Sequence, residues 1–369
     1  MDTKLTTGAT SEGTQRFRDR FPDLPGHFRH QQSWWLSSIG LGTYLGDPDA
    51  DTDARYTAAV ERTVECGINT IDTAINYRFQ RSERSIGAAL KSLFESGRAR
   101  RDEIVIASKG GYVPFDGEWP ANPEQYIREH YLETGIARPE DFVDMHCMTP
   151  EYLWHQIDQS RRNLGLECID VYYLHNPESQ LDAIPRAQFR DRLRSAIKFL
   201  EDQVNQGWIQ YYGTATWNGY RASPKSVGYL SLEDVITVAR EVRGINHHCR
   251  FVQLPFNLAL LEGLTVRNQR ASGELMSVLE AAQRFGVTVM CSATLFQARL
   301  IGQMPDALRA QFGSLTTDAQ RAIQFTRSAP GVATALVGMS RVEHVDEDLA
   351  TASVAPLDEA AFKRLLTQR

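Results

Sequence analysis

The stretch Gly67-Ile68-Asn69-Thr70-Ile71-Asp72-Thr73-Ala74-Ile75-Asn76-Tyr77 reads as a helix stop, a short strand and a turn. Gly67 stands where glycine ends a helix, just past Asp53–Glu65, whose apolar residues Ala54, Ala58, Ala59 and Val60 recur at helical spacing. Thr70–Thr73 is a β-branched run of strand length. Ser82–Leu93 then predicts another helix, opened by a serine cap. Helix, strand and helix at this spacing make one unit of a βα pattern, and the remaining sequence decides how often the unit repeats.

Working outward, seven more runs read as strands: Ile39–Thr43, Ile104–Ser108, Val171–His175, Ile209–Thr214, Phe251–Pro255, Thr288–Ser292 and Thr334–Val337. Helices are expected over Pro150–Leu164, with Pro150 at N1 and Gly165 after it, and over Ile184–Gln206, stopped by Gly207. Further helices are expected over Leu232–Val242 behind a Ser231 cap, over Ser272–Arg284, and roughly over 317–328, 342–350 and 358–368. Eight strands, each followed by a helix, predict a single-domain α/β protein, a (β/α)8 TIM barrel. A doubly wound sheet is excluded by its missing phosphate loop. No G-x-G-x-x-G follows a strand, Gly40-Leu41-Gly42 lacks the third glycine, and there is no G-x-x-x-x-G-K-[ST].

The 369 residues are 42% hydrophobic and 23% charged, which suits a globular domain and argues against disorder or a rod. With 40 Lys+Arg against 46 Asp+Glu, the net charge of −6 argues against nucleic acid as a partner. Arg16–Arg20 and Arg98–Arg101 read as solvated surface. No apolar stretch approaches the ~20 residues of a membrane span. Residues 1–26 are polar, lack a signal-peptide core and are expected to form a mobile tail, leaving 27–369 to the barrel. Five cysteines (66, 147, 168, 249, 291) form an odd, scattered set that reads as buried free thiols in a reducing, cytoplasmic setting. Segment 110–149 breaks the βα rhythm with Pro114, Gly117, Pro120 and Pro139 among Tyr112, Phe115, Trp119 and Tyr126. It follows the third barrel strand, so it is expected on the face where barrel active sites are built.

At the expected strand ends stand Thr43-Tyr44, Asp72-Thr73, Lys109, His175-Asn176, Ala215-Thr216, Gln253, Ser292 and Gly338-Met339-Ser340. Buried Asp and Lys are rare unless paired, so Asp72, Lys109 and His175 at three strand mouths, with Tyr77 beyond the first, form one candidate catalytic device. An ammonium beside a tyrosine hydroxyl favours the phenolate, so Lys109 is expected to lower the pKa of Tyr77, with Asp72 holding the lysine. Tyr77 is then a proton donor or acceptor, and His175 orients a carbonyl oxygen. The set moves a proton but contains no electron source, so a reduction requires a hydride cofactor.

These runs, together with Ser82-Glu83, Gly87, Ala107-Ser108-Lys109 and Asp170-Val171-Tyr172-Tyr173-Leu174-His175, resemble the aldo-keto reductase family from about Ile39 to Leu349. The resemblance implies a barrel that binds extended NADPH, with NADH as the alternative, at its C-terminal mouth. It also implies a tetrad of Asp72, Tyr77, Lys109 and His175 with Tyr77 as general acid. Gly42-Thr43-Tyr44 is similar to the first cofactor-contacting turn, and Gln253 to the glutamine that holds the nicotinamide amide. Gly213-Thr214-Ala215-Thr216 replaces the usual Gly-Val-Ser-Asn, leaving Thr216 to hydrogen-bond where Ala215 cannot. Ser292-Ala293-Thr294-Leu295-Phe296-Gln297-Ala298 is similar to Tyr-Ser-Pro-Leu-Gly-x-Gly, with Ser292 for the stacking aromatic and the glycines replaced. Gly338, Ser340, Arg341, His344, Glu347 and Asp348 resemble the adenosine-phosphate clamp, Asp348 standing where asparagine is common. Arg341, with Ser340 and His344, is expected to hold a 2′-phosphate. The candidate substrate contacts are Tyr77, Tyr112, Phe115, Trp119, His175, Asn176 and Trp217.

The expected function is NADPH-dependent reduction of an aldehyde or ketone, or oxidation of the alcohol. The alternatives are a redox-neutral epimerase with retained cofactor, and a cofactor-sensing regulatory subunit, to which Ala215 and Ser292 give weight. No metal is expected: no H-x-H follows the first barrel strand, and neighbouring side chains in His247-His248-Cys249 point to opposite faces. His27-x-x-His30 reads as surface, in a stretch able to form a hairpin with Trp34–Ser38. The Trp34-Trp35 pair is expected to plug the bottom of the barrel. The sequence leaves the substrate and the oligomeric state open.

Overall fold

The computed structural model describes residues 8–367. Helix α1 (Ser11–Asp19) leads into a hairpin of β1 (Phe28–Gln31) and β2 (Trp34–Ser37). The barrel follows: β3 (Ile39–Gly42), α2 (Ala50–Glu65), β4 (Thr70–Asp72), α3 (Arg81–Glu95), β5 (Val105–Gly110), the short α4 (Pro123–Ile127), α5 (Pro150–Leu164), β6 (Ile169–His175), α6 (Arg186–Gln206) and β7 (Ile209–Ala215). Next come α7 (Leu232–Arg243), β8 (Cys249–Pro255), the short α8 (Glu262–Thr265), a second hairpin of β9 (Gln269–Ala271) and β10 (Glu274–Met276), α9 (Val278–Phe285) and β11 (Thr288–Ser292). The chain ends with α10 (Asp306–Arg309), α11 (Asp318–Ser328), β12 (Val332–Gly338), α12 (Val342–Leu349) and α13 (Glu359–Thr367). Strands β3 to β8, β11 and β12 pair in parallel and close on themselves, with β12 beside β3, so the expected TIM barrel stands.

Every expected barrel strand overlaps an observed one, because each is a largely buried run of strand length, Val105–Gly110 being buried throughout. The helices end where glycine was read as the stop. Gly165, Gly207 and Gly286 all take left-handed φ of 66–76° at C-caps. Ser82, however, does not cap α3: Gln80 is the N-cap, and the Ser82 hydroxyl instead donates to the Thr43 carbonyl at 2.8 Å.

Several expectations are corrected. Residues 8–26 are not a tail: Thr10 caps α1, Phe17 is completely buried, and the Ala9 N–H donates to Asp170 at 2.7 Å. The small Gly13 and Thr14 and the apolar Phe17, three and four residues apart on one face, are buried, and the charged residues between them disguised that face. Met1–Thr7 of the expected tail lie outside the described residues, as does the last position of the expected helix 358–368. The helix expected over Ser272–Arg284 begins only at Val278, because Ser272 and Gly273, both at positive φ, turn the β9–β10 hairpin. His27 is buried rather than on the surface, its Nε2 3.1 Å from the Gly67 carbonyl oxygen. Trp34 does fill the barrel floor, against Val105, Val171, Tyr173 and Phe251, whereas Trp35 lies under the Arg18 guanidinium.

Segment 110–149 folds on a core of its own. Val113, Phe115, Tyr131, Ala137 and Cys147 pack together with Tyr152 of α5, so the segment is an ordered excursion above the barrel.

Candidate active site

Strands β4, β5 and β6 end side by side and deliver Asp72, Lys109 and His175 to the C-terminal mouth of the barrel. The Lys109 ammonium is fully buried, and each of its three N–H bonds has an acceptor: Asp72 Oδ2 at 2.7 Å, the Thr73 carbonyl at 2.7 Å and the Tyr77 oxygen at 3.3 Å. Gln253 donates to the other Asp72 oxygen at 2.7 Å, so both carboxylate oxygens are engaged. Tyr77 thus accepts a hydrogen bond from Lys109, and its own hydroxyl proton is left to point into the cavity.

The electrostatics differ from the expectation in one respect. Burial raises the pKa of Tyr77, and it outweighs the lowering by Lys109. Burial works to lower Lys109, but Asp72 and Tyr77 overcome it and hold the ammonium above its ordinary value. Burial pushes Asp72 up against the pull of Lys109. Tyr77 is therefore a neutral hydroxyl carrying its proton, the form an acid needs. His175 is held well below its ordinary pKa by burial, with Lys109 and His146 adding to the effect, so its imidazole is neutral.

His175 closes the device from β6. His146 donates through Nε2 to the His175 carbonyl at 2.8 Å and accepts at Nδ1 from Gln180 at 3.0 Å. The rings of Tyr44, Tyr77, His175 and Tyr112 follow one another edge to face at 5.0, 5.8 and 5.3 Å, forming one aromatic wall. The Tyr112 hydroxyl lies 3.0 Å from Ser179 Oγ, and Asn176, in the left-handed region at φ 45°, accepts the Trp217 N–H at 2.7 Å.

A cavity of about 760 Å³ opens at this mouth. Of the expected residues it is lined by Gly42, Thr43, Tyr44, Asp72, Tyr77, Tyr112, His175, Asn176, Thr216, Trp217, Gln253, Ser292, Leu295, Gln297, Gly338, Ser340, His344, Glu347 and Asp348. Lys109 sits behind Asp72 rather than on the wall. Two expectations do not hold, those for Phe115 and Trp119. Phe115 is buried in the core of segment 110–149, and Trp119 packs edge-on against Phe115 and Phe79, so neither reaches the cavity. Arg341 caps α12 on the exposed surface and is not on the cavity wall.

Sequence reasoning missed Asn76, Thr294, Leu45 and Ile301, which also line the cavity. Asn76 and Thr294 stood inside the quoted motifs, four residues past β4 and two past β11, which was the available signal. His146 gave none, since only the folding of segment 110–149 brings it to His175.

Buried polar atoms without partners test whether the cavity suits a dinucleotide. Thr216 Oγ1, Asn76 Oδ1, Thr294 Oγ1 and His175 Nδ1 are all buried and unsatisfied in residues that line it. Such groups are costly unless a ligand meets them, so the donor and acceptor set fits a polar, extended cofactor. The loop after β11 supports the same fit. Ala293, Phe296, Gln297 and Ala298 take φ of 48–63°, the conformation that glycine adopts at no steric cost. Non-glycine residues hold this left-handed backbone at the expense of strain.

The aldo/keto reductase family model matches residues 38–303. The NADH-specific methylglyoxal reductase of Escherichia coli K12 is 28% identical over 185 residues, which is 49% of this chain and only 48% of that relative. A putative voltage-gated potassium channel subunit beta of Schizosaccharomyces pombe is 23% identical over 89% of this chain and 88% of its own. Among solved structures, an aldo/keto reductase from Klebsiella pneumoniae in complex with NADP and acetate superposes with a TM-score of 0.63. It is 20% identical, covering 93% of this chain and 95% of that one. Among the described residues no helix is long and apolar enough to cross a membrane.

Proposed function

The chain belongs to the aldo/keto reductase family, oxidoreductases acting on carbonyls and alcohols, and on that premise we propose that it reduces an uncharged aldehyde or ketone with NADPH. The observation that carries the reading is the threefold coordination of Lys109, which leaves the Tyr77 hydroxyl proton facing the cavity. A bound nicotinamide dinucleotide supplies the hydride. Tyr77 gives its proton to the carbonyl oxygen as negative charge gathers there, and Lys109, anchored by Asp72, stabilises the phenolate left behind. Neutral His175 faces the same oxygen and orients it. Thr216 and Gln253 offer hydrogen bonds to the nicotinamide amide, while Ser340 and His344 stand at the adenosine end. The aromatic wall of Tyr44, Tyr77, His175 and Tyr112 holds no free charge, which favours flat apolar substrates over phosphorylated or carboxylated ones.

The test follows NADPH absorbance over a panel of aromatic aldehydes, aliphatic ketones and sugars, with Tyr77→Phe as control. Aromatic aldehydes should turn over best, and turnover surviving in Tyr77→Phe sinks the proposed acid. Exposed Arg341 is reserved for the 2′-phosphate: Arg341→Ala should weaken NADPH but not NADH, and equal affinities end that assignment. A second reading, a cofactor-binding regulatory subunit, is favoured by the likeness to the potassium channel subunit and by Ala215 and Ser292. Tight NADPH binding without turnover on any carbonyl would select it.

A further inference from the structure

The turn Pro177–Asp182 leaves β6 directly and carries Glu178 beneath the loop that follows β7. Glu178 is buried, at 7% exposure, and backbone N–H groups rather than a cation meet its carboxylate. Oε1 accepts the Gly219 N–H at 3.1 Å, the N–H groups of Trp217 and Asn218 also favour its charged form, and Oε2 is buried without a partner. The approach leaves a side chain on the loop room only if its neighbours give by a few tenths of an ångström. A Cβ at Gly219 would lie 3.0 Å from Leu230 Cβ and 3.1 Å from Glu178 Cδ, inside ordinary contact.

Above this carboxylate stands Trp217, whose ring lines the cavity and is 42% exposed. A ring that open gains little from packing, so the backbone beneath must hold it. That backbone is tied at its first residues, where Thr216 N–H donates to the Gln253 carbonyl at 2.9 Å and Trp217 N–H to Asn176 Oδ1 at 2.7 Å. The next tie is Glu178 itself. Burial pushes the Glu178 pKa up to about 7, and the backbone N–H groups it faces, a nest supplied from within the chain, pull against that rise.

We propose that Glu178 is a positioning residue that fixes the substrate-side wall, holding Gly219 and thereby Trp217 in place so that the cavity selects flat, uncharged carbonyl compounds. The assignment rests on the reading that the cavity takes such a compound beside Tyr77. It makes Glu178 and Gly219 a matched pair: loss of the carboxylate and gain of a Cβ should release the same loop.

The test measures binding of 4-nitrobenzaldehyde to the full chain in the presence of NADP+ by titration calorimetry, alongside NADPH-dependent turnover of the same compound. Glu178→Leu and Gly219→Ala should each weaken binding by about tenfold, the worth of roughly one buried hydrogen bond to a charged group. Both should raise KM by the same factor, leave kcat within about twofold, and leave NADP+ affinity unchanged. Glu178→Gln keeps an acceptor for the Gly219 N–H and should restore binding to within about threefold of wild type. A wild-type dissociation constant in Glu178→Leu, a fall confined to kcat, or an equal loss of NADP+ affinity overturns the proposal. Should Glu178→Leu fail to fold, Gly219→Ala carries the same outcomes. If the wild type binds the aldehyde without reducing it, the proposed function fails, while the calorimetry still decides on Glu178.

Discussion

Lys109 and Tyr77 touch each other, yet removing one differs in kind from removing the other. Tyr77→Phe deletes a hydroxyl at a cavity wall, where the freed Lys109 N–H can donate to water instead. The expected result is a loss of turnover of about 10²–10⁴-fold with a melting temperature close to wild type. Lys109→Met strands the Asp72 carboxylate, 4% exposed, with Gln253 alone, and should cost about 3–5 kcal/mol of stability as well as turnover. Initial rates and thermal melts of both variants check the pair, and a stable Lys109→Met chain would show that Asp72 is not ionised there. Asp348 gives a pH prediction with a definite sign. Burial, then Glu347, pushes its pKa from 3.8 to about 7, and its carboxylate has no hydrogen-bond donor among the described residues. Between those values the folded chain keeps a proton that the unfolded chain releases, so this group's contribution to stability falls as pH rises through the window. Asp348→Asn removes the penalty. Without cofactor, it should stabilise the protein by about 2–4 kcal/mol at pH 8 and by much less at pH 5. Equal shifts in melting temperature at the two pH values would contradict the burial argument.

Gly87 shows how an element's packing overrules its propensity. Within an exposed helix, Gly→Ala gains about 1 kcal/mol. In α3, however, a Cβ at position 87 would lie 2.4 Å from the Asn163 carbonyl oxygen and 3.0 Å from Leu164 C, both backbone atoms at the end of α5. Neither can swing aside, so Gly87→Ala should lower the melting temperature, and a rise would mean that α3 and α5 can slide apart. The quoted motif contained Gly87, but only the crossing of two helices explains it. The same division runs through the other elements. Barrel strands were legible because burial on both faces writes continuous apolar runs, and helix ends because glycine marks them. The β9–β10 hairpin was not, since Ser272-Gly273 interrupts a pattern whose apolar residues also satisfy a helix. Phe115 and Trp119 were misplaced for a related reason: aromatic content predicts packing, but whether the partner is a ligand or the loop's own core is decided by contacts far apart in sequence.

At the scale of the whole molecule the barrel has two differently built ends. The mouth holds polar groups that await partners, whereas the floor is sealed by residues 8–38, of which 8–26 were disguised as a tail by the charged sequence of α1. Trp34 donates its indole N–H to the Ala9 carbonyl at 3.2 Å, and Arg16 reaches Asp102 at 2.6 Å and Glu103 at 2.9 Å. Arg16 is partly open to solvent, and the buried Glu103 keeps Arg20 and the Arg100 N–H as further partners, so loss of Arg16 costs little; the decisive term is Phe17, with no exposed surface and its ring centroid 5.2 Å from that of Phe21 and 6.1 Å from that of Phe28. Phe17→Ala should cost about 3–5 kcal/mol, more than any single surface charge on the same helix. Because this seal lies at the end of the barrel away from Tyr77, the loss should appear in the melting temperature. kcat and KM measured well below that temperature should be unchanged. Arg16→Ala serves as the comparison and should shift the melt by no more than a degree or two. A chain whose stability ignores Phe17 would restore the reading of the N-terminal residues as a tail. One whose kcat follows the melt would mean that floor and mouth are coupled through the strands.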